Sequence, residues 1–267
     1  GRCVFVLQLI WWQPRAQQVL SMHVLLLKPA LWLHNQRLSC WLHGLEVWGT
    51  AGDNHALELK RCQNLIASSH FTVEQLSFKP KRSAVVHPMA DLINAEQQPA
   101  PIPSQLRLLT VARMCSHENY KGHELILHAL AQLPAEIHWQ VVGDGDQRPQ
   151  LEAQVERLGL TNQVQFSGSL NDDELRQAFA GCSVFVMPSR FGIEANGVAT
   201  GEGFGIVYLE AALAGRASIA CDQGGQTDFI VHGDTGWLIP PDANALKATL
   251  RELLHHPQEI QRRGALA

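Results

Sequence analysis

Residues 106–145 read LRLLTVARMCSHENYKGHELILHALAQLPAEIHWQVVGDG, and this stretch decides the fold. Leu106–Ala112 is a short apolar run with β-branched residues, which predicts a buried strand. Gly122–Leu133 sets Leu125, Ile126, Ala129, Leu130 and Leu133 at three- and four-residue steps, the spacing of an amphipathic helix. Ile137–Val142 predicts a second strand, broken at Gly143-Asp144-Gly145. A strand, a helix and a strand joined by short connections make a parallel pair, because only a crossover brings the chain back to the same edge.

The pattern repeats downstream. Helices are predicted at Leu151–Leu158, Asp172–Ala180, about Phe204–Ala214 and Ala243–His255. Strands are predicted at Val164–Phe166, Val184–Met187 (stopped by Pro188), Ala217–Ala220 and Trp237–Ile239. Strict alternation implies a parallel sheet covered on both faces, a doubly wound α/β domain.

Upstream, His23–Leu27, Leu38–Leu42, Leu65–Ser68 and Ala84–Val86 are strand-like, with helices at Ala56–Gln63 and Thr72–Phe78. Asn94–Ser104 carries Pro99, Pro101 and Pro103, which forbid helix and favour an extended connector. Two domains are therefore expected, 1–104 and 105–267, both Rossmann-like, the first short of strands and so incomplete. The chain starts at Gly1 rather than Met, and Trp11, Trp12, Trp32, Trp41 and Trp48 crowd its first 48 residues. It reads as a chain entered partway through its first domain, with no signal-peptide pattern in Gly1–Ser21. Those tryptophans could fill a core or line an acceptor or membrane-facing surface.

Composition sets outer bounds. With 46% hydrophobic and 17% charged residues, 267 residues make one large globular domain or two small ones. A net charge of −4 gives no whole-protein footprint for nucleic acid. Apolar runs such as Cys3–Leu7 fall far short of the roughly 20 residues that span a bilayer. Six scattered cysteines without a CxxC pair favour reduced, buried thiols. His117, His123 and His128 do not share a helical face, so no metal site is expected.

Chemistry concentrates in Gly201-Glu-Gly-Phe-Gly-Ile-Val-Tyr-Leu-Glu210. Three glycines before an apolar helix let backbone approach a ligand, and a helix N-terminus suits an anionic phosphate. Glu202 and Glu210 lie eight positions apart, about two turns and ~80° in helical terms. In an open α/β sheet, ligands bind outside the carboxyl ends of the strands. Arg113, Lys121-Gly122, Gly143–Gly145, Ser189-Arg190 and the Glu202 loop all fall at such ends, and two cations beside a helix N-terminus suit a diphosphate. Singly, Arg113 and Lys121 read more readily as solvated surface charges; sharing one edge with the glycine loop is what favours a ligand role. Position 148 is Arg where a dinucleotide fingerprint has its third glycine, which disfavours a nicotinamide enzyme.

Arg113, Lys121-Gly122, Val142-Gly-Asp-Gly145, Phe166-Ser-Gly168, Met187-Pro-Ser189, Glu202-Gly-Phe-Gly205 with Glu210, Gly224-Gly225 and Thr235-Gly236 occur in that order. The ordered set resembles the nucleotide-sugar half of retaining glycosyltransferases of family 4, which have the two-domain GT-B fold. His43-Gly-Leu-Glu46 and Ile66–Phe71 resemble the end of that family's acceptor domain. The resemblance implies a sugar transferred from a nucleotide diphosphate to an acceptor hydroxyl. Arg113 and Lys121 would contact the diphosphate and Glu202 the sugar hydroxyls, with His43 near the transferred sugar. N–H groups at Phe204, Gly205 and Ile206 would touch sugar and phosphate, Glu210 the ribose, and backbone near Gly143, Gly145 and Gly168 the nucleotide.

It further implies a glycan, lipid or small-molecule acceptor, no nucleic acid, no metal or cofactor besides the donor, and a cytoplasmic place with room for peripheral membrane contact. Against the family pattern, no glycine-rich turn precedes His43, and the chain stops at Ala267, so both ends read as clipped. A catalytically incompetent donor-binding fragment, or a GT-B epimerase or phosphorylase relative, are the competing readings. Phe191–Thr200 is expected to be a mobile lid or a surface loop beside the donor sugar.

Overall fold

The structure is a computed structural model that describes residues 17–32, 37–93 and 98–267. Trp11, Trp12, the Cys3–Leu7 run, the side chain of Trp32 and Asn94–Gln97 of the connector lie outside the described residues. In chain order the first elements are β1 (Val19–Ser21), α1 (Leu27–Trp32), β2 (Leu38–Leu42), α2 (Gly49–Arg61), β3 (Asn64–Ala67), α3 (His70–Glu74) and β4 (Ser83–Val85). Next come β5 (Arg107–Val111), α4 (His123–Leu130), β6 (His138–Val142), α5 (Arg148–Arg157), β7 (Val164–Gly168), α6 (Asp172–Gly181) and β8 (Val184–Val186). A short hairpin, β9 (Gly192–Ile193) and β10 (Ala199–Thr200), precedes α7 (Ile206–Leu213), β11 (Ser218–Cys221), β12 (Gly236–Ile239), α8 (Ala243–His255) and α9 (Gln258–Leu266).

The chain divides into two compact units, one of residues up to Pro88 with Gly192–Phe204, the other Met89–Phe191 with Gly205–Ala267. The second unit therefore starts earlier than the expected boundary at 104. The cause is visible just before and within the connector, where two carbonyls are taken by arginines of the second unit. Arg176 Nε donates to Leu92 O at 2.8 Å and Arg216 Nη2 to Ala100 O at 2.9 Å.

The second unit is the doubly wound domain the alternation predicts. Its six parallel strands run β12-β11-β8-β5-β6-β7. Strand order reverses between β5 and β8, which marks the ligand crevice of such sheets. Val184, Phe185 and Val186 are all buried, as a central strand covered on both faces requires. One face packs Trp139, Val141 and Val186 under Ile126, Leu130, Leu151 and Leu250. The other packs Phe185 and Leu109 under Phe179, Tyr208 and Ala211. Inside this core Trp139 Nε1 donates to Thr110 Oγ1 at 2.9 Å and Thr110 Oγ1 donates to Val186 O.

The first unit holds a smaller parallel sheet, β1-β2-β3-β4. His23–Leu27, expected as a strand, is instead a 3-10 turn running into α1. His23 caps that turn: its Nδ1 accepts the Leu25 N–H at 3.2 Å, and its carbonyl accepts the Ser21 hydroxyl at 2.9 Å. The strand lies just before it, at Val19–Ser21. Trp48 is fully buried with its ring edge-on to Phe71, a core-filling role, while Trp41 is half-buried. Cys40, Cys62, Cys115, Cys182 and Cys221 are free thiols.

His123 opens α4 as a buried side chain beside Trp139, its Nε2 without a hydrogen-bond partner. Burial, helped by the nearby Lys121 charge, pushes its pKa down to about 4. The unfolded chain, with histidine near 6.5, takes up its proton first as pH falls, so folded stability is full at neutral pH and lost between pH 6.5 and about 4. By pH 5 that loss reaches about 2 kcal/mol. Urea unfolding at pH 7.5 and pH 5 is expected to show a smaller drop for His123→Gln than for the parent, by about that amount. Equal drops would contradict the burial argument.

Candidate active site

In the second unit, the expected cationic residues come to the carboxyl edge of β5 and β8. Arg113 lies two residues beyond β5; its guanidinium is mostly exposed and meets Glu118 Oε1 at 2.5 Å. Lys121 ends a 3-10 turn over Ser116–Lys121, its Nζ 5.0 Å from the Tyr120 ring centre. Gly122 follows at φ 88°, where an added Cβ would lie 2.6 Å from Pro188 O. Only glycine lets the chain pass this close to the end of β8. Arg190 N donates to Tyr120 O at 2.9 Å and closes the same turn from the other side. Backbone contacts on either side thus hold Lys121 at the strand-order reversal.

The glycines after β6 serve a similar end. A Cβ on Gly143 would overlap Ala112 O, and one on Gly145 would overlap Met114 O. Gly143 N donates to Gly168 O at 2.8 Å, so Gly143 and Gly168, both expected in the nucleotide site, are directly bonded. Met114 N donates to Asp144 O at 2.9 Å, laying the segment after β5 along the segment after β6.

Gly205 caps α7 from the left-handed region, φ 86° and ψ 67°, with no side chain to occupy the first N–H groups. No acidic residue sits in the first turn. The start of α7 therefore offers N–H donors and the positive end of the helix dipole. Glu210 is half-buried one turn further on, and burial first, then Asp91 and Asp172, raise its carboxyl pKa. An anion so destabilised gains from hydroxyl donors, which is what a ribose presents.

In the first unit, β2 ends at Leu42 and delivers His43 at the carboxyl edge. His43 Nε2 donates to Met22 O at 2.9 Å, which leaves the Nδ1 lone pair on the neutral ring. Its backbone N donates to Glu46 Oε1 at 2.5 Å. The turn that carries Glu202 lies against this same edge. A Cβ on Gly203 would overlap His43 O, and one on Gly44 would sit 2.9 Å from Gly203 Cα. Phe204 is buried with its ring stacked on His87 at 5.3 Å. Gly197 O accepts from both Thr50 N at 3.0 Å and Thr50 Oγ1 at 3.1 Å, seating the β9–β10 hairpin on the start of α2.

The first unit thus gathers His43, Glu202 and Phe204, and the second holds Arg113, Lys121, Gly143, Gly145, Gly168, Gly205, Ile206 and Glu210. The reading from sequence missed Ser68 and Ser69, whose hydroxyls hold the Glu202 turn. A serine pair directly after a strand, with Thr72 three residues on, was the available signal. A cavity of about 550 Å³ lies at the amino-terminal ends of β5, β6 and β7, lined by Arg107, His138, Gln140 and Gln163 among others. It is on the opposite edge of the sheet from Arg113 and Lys121, and none of the expected site residues lines it.

Residues 105–256 match the family model for glycosyl transferases group 1, and that span is more than half of the chain. The chain belongs to the group 1 glycosyl transferases. This glycosyl transferase is 33% identical over 147 residues to D-rhamnosyltransferase WbpZ of Pseudomonas aeruginosa, covering 54% of this chain and 36% of that protein. It is 34% identical over 149 residues to O-antigen chain mannosyltransferase C of Escherichia coli, covering 54% and 37%. The matched region spans little more than a third of either relative. In fold, the glycosyl transferase is similar to Anabaena HepE, solved with UDP and glucose, with a TM-score of 0.77 at 22% identity over 98% of this chain and 74% of that one. The fold is α/β and GT-B-like, as the ordered motifs imply. No helix among the described residues is long and apolar enough to cross a membrane.

Proposed function

We propose that this chain moves a sugar, of hexosyl type, from a nucleotide diphosphate to an acceptor hydroxyl with retention of configuration. The carrying observation is the meeting of Arg113, Lys121 and their glycine-pinned turns at the strand-order reversal of the second unit. The names of the family relatives, a rhamnosyl- and a mannosyltransferase, and the UDP and glucose held by HepE support the reading.

The chemistry follows from charge. As the bond from the anomeric carbon to the phosphate oxygen breaks, positive character grows on the sugar and negative charge on the departing diphosphate. Arg113 and Lys121 would stabilise that anion, along with N–H groups at the start of α7. The acceptor oxygen forms the new bond on the face the diphosphate leaves, and its proton passes to the leaving phosphate oxygen. A strong protein base is not needed. Glu202 would hold sugar hydroxyls, Glu210 the ribose, and His43 the region of the transferred sugar. In this mechanism the protein's own cations supply the charge that a metal supplies in other transferases. The acceptor is a glycan, lipid or small molecule, and the site of action is cytoplasmic or peripheral to a membrane.

Thermal unfolding with UDP-, GDP- and ADP-sugars, followed by mass spectrometry of products with hydroxyl acceptors, tests this reading. A donor present at 100 times its Kd is expected to stabilise by about 2.7 kcal/mol and to be consumed only with acceptor or slowly by water. No stabilisation by any donor and no donor consumed would overturn it.

A further inference from the structure

Ser68 and Ser69 immediately follow β3 and are both buried, at 2% and 0% exposure. A buried hydroxyl must find partners, and these two find theirs on the segments already singled out for catalysis. Ser68 N donates to Leu42 O at 2.9 Å, continuing the β2–β3 pairing, and its Oγ donates to His43 O at 2.9 Å. The same Oγ lies 3.4 Å from Gly203 O. Ser69 Oγ donates to Gly203 O at 2.7 Å.

The hydrogen-bond inventory of Ser69 makes its role specific. A hydroxyl has one proton and two lone pairs. Ser69 Oγ accepts the Thr72 N–H at 3.1 Å as the cap of α3, and stands 3.0 Å from Thr72 Oγ1. With the Thr72 hydroxyl donating to Ser69, both lone pairs are used and the single Ser69 proton goes to Gly203 O. The start of α3 thereby orients a donor at the carbonyl of the residue that follows Glu202. Gly203 has no side chain to resist, and a Cβ there would collide with His43 O. Phe204, stacked on His87, anchors the other end of the turn.

We infer that Ser68 and Ser69 are positioning residues for the transfer site: the pair fixes the Glu202 turn and the His43 backbone to one another through hydroxyl bonds to Gly203 O and His43 O. This inference rests on the transferase reading for its catalytic consequence, but not for its structural one. Misplacing a group by about 1 Å can cost 100-fold in rate, so loss of the Ser69 bond should act on turnover and not on donor diphosphate binding.

The test uses the full chain with Ser69→Ala, Ser69→Thr and Glu202→Ala. Ser69→Ala is expected to lower kcat about 10- to 100-fold with donor KM changed less than about threefold, and Ser69→Thr, which keeps a capping hydroxyl, to recover most of it. Amide hydrogen exchange supplies a readout that needs no turnover. In Ser69→Ala, exchange should quicken at residues 201–205 while β5–β8 stay protected as in the parent. Unchanged exchange at 201–205 would overturn the inference whatever the activity. Unchanged kcat in Ser69→Ala, with kcat lost in Glu202→Ala, would overturn its catalytic part. A parent that turns over no donor would instead fail the transferase reading and leave the exchange result to decide the structural one.

Discussion

Lys121→Ala is expected to lower kcat by about 100- to 1,000-fold, the loss seen when one preorganised donor is removed from a developing anion, or about 2.7–4 kcal/mol. Arg113→Ala should fall in the same range. The two losses should not add, because both groups stabilise the same charge. Arg113→Lys is expected to recover little, since a planar guanidinium can hold two phosphate oxygens at once and an ammonium cannot. Neither change should unfold the protein. The Arg113 side chain is 72% exposed, so its pair with Glu118 is largely solvated on the arginine side and contributes under about 1 kcal/mol. Lys121 is held by the backbone of Tyr120 and Gly122. Initial-rate kinetics beside thermal unfolding separates the two effects. Full activity in the double variant would remove the charge-stabilising role from both residues.

Why these two cations are legible in the sequence, while other parts are not, has a physical reason. In the second unit the central strands β8 and β11 are buried throughout and β5 along most of its length, so apolar runs and burial carry the same message there. The predicted strand at Leu106–Ala112 is observed at Arg107–Val111, and the helix at Ala243–His255 is observed with those bounds. A residue just past such a strand must then lie at the carboxyl edge of the sheet, which places Arg113 there without any side-chain information.

The failures occur where a tertiary contact decides. The 3-10 turn at Val24–Leu26 replaces an expected strand because the His23 ring caps it. Helix α9 is mostly polar and follows Pro257, so no apolar stripe announces it. It is held by Arg263, which stacks on Trp237 at 4.1 Å and donates to Gly236 O at 2.8 Å. From sequence, Phe191–Thr200 reads as a lid or loop of the downstream domain, yet Gly192–Phe204 belongs to the first unit. The partners of that segment, Thr50, Ser69 and the His43 carbonyl, are remote in sequence, and no local pattern encodes such a contact. The buried Arg216 is a similar case. Its guanidinium donates to Phe179 O at 3.0 Å, Ala180 O at 2.7 Å and Ala100 O, a set visible only once the chain is folded.

Gly203→Ala is expected to disable the enzyme while Gly181→Ala leaves it intact. A methyl group added at Gly203 would overlap His43 O, and both atoms belong to backbone-determined positions, so the turn must move away from the β2 edge. That movement breaks the Ser69 bond to Gly203 O and turns Glu202 with it. Overpacking of this kind costs about 1–3 kcal/mol in stability, while a shift of about 1 Å at Glu202 costs about 100-fold in kcat. Gly181 ends α6 with nothing within 4 Å of an added Cβ, so alanine there should be neutral or stabilise by about 0.4–1 kcal/mol through the unfolded chain. Measured together, kcat and unfolding free energy distinguish a displaced site from general damage. Gly203→Ala should lose far more turnover than its stability loss explains, at temperatures where it is fully folded. If Gly203→Ala keeps parental kcat, the Glu202 turn does not need its seat on His43, and the catalytic weight assigned to that turn is wrong.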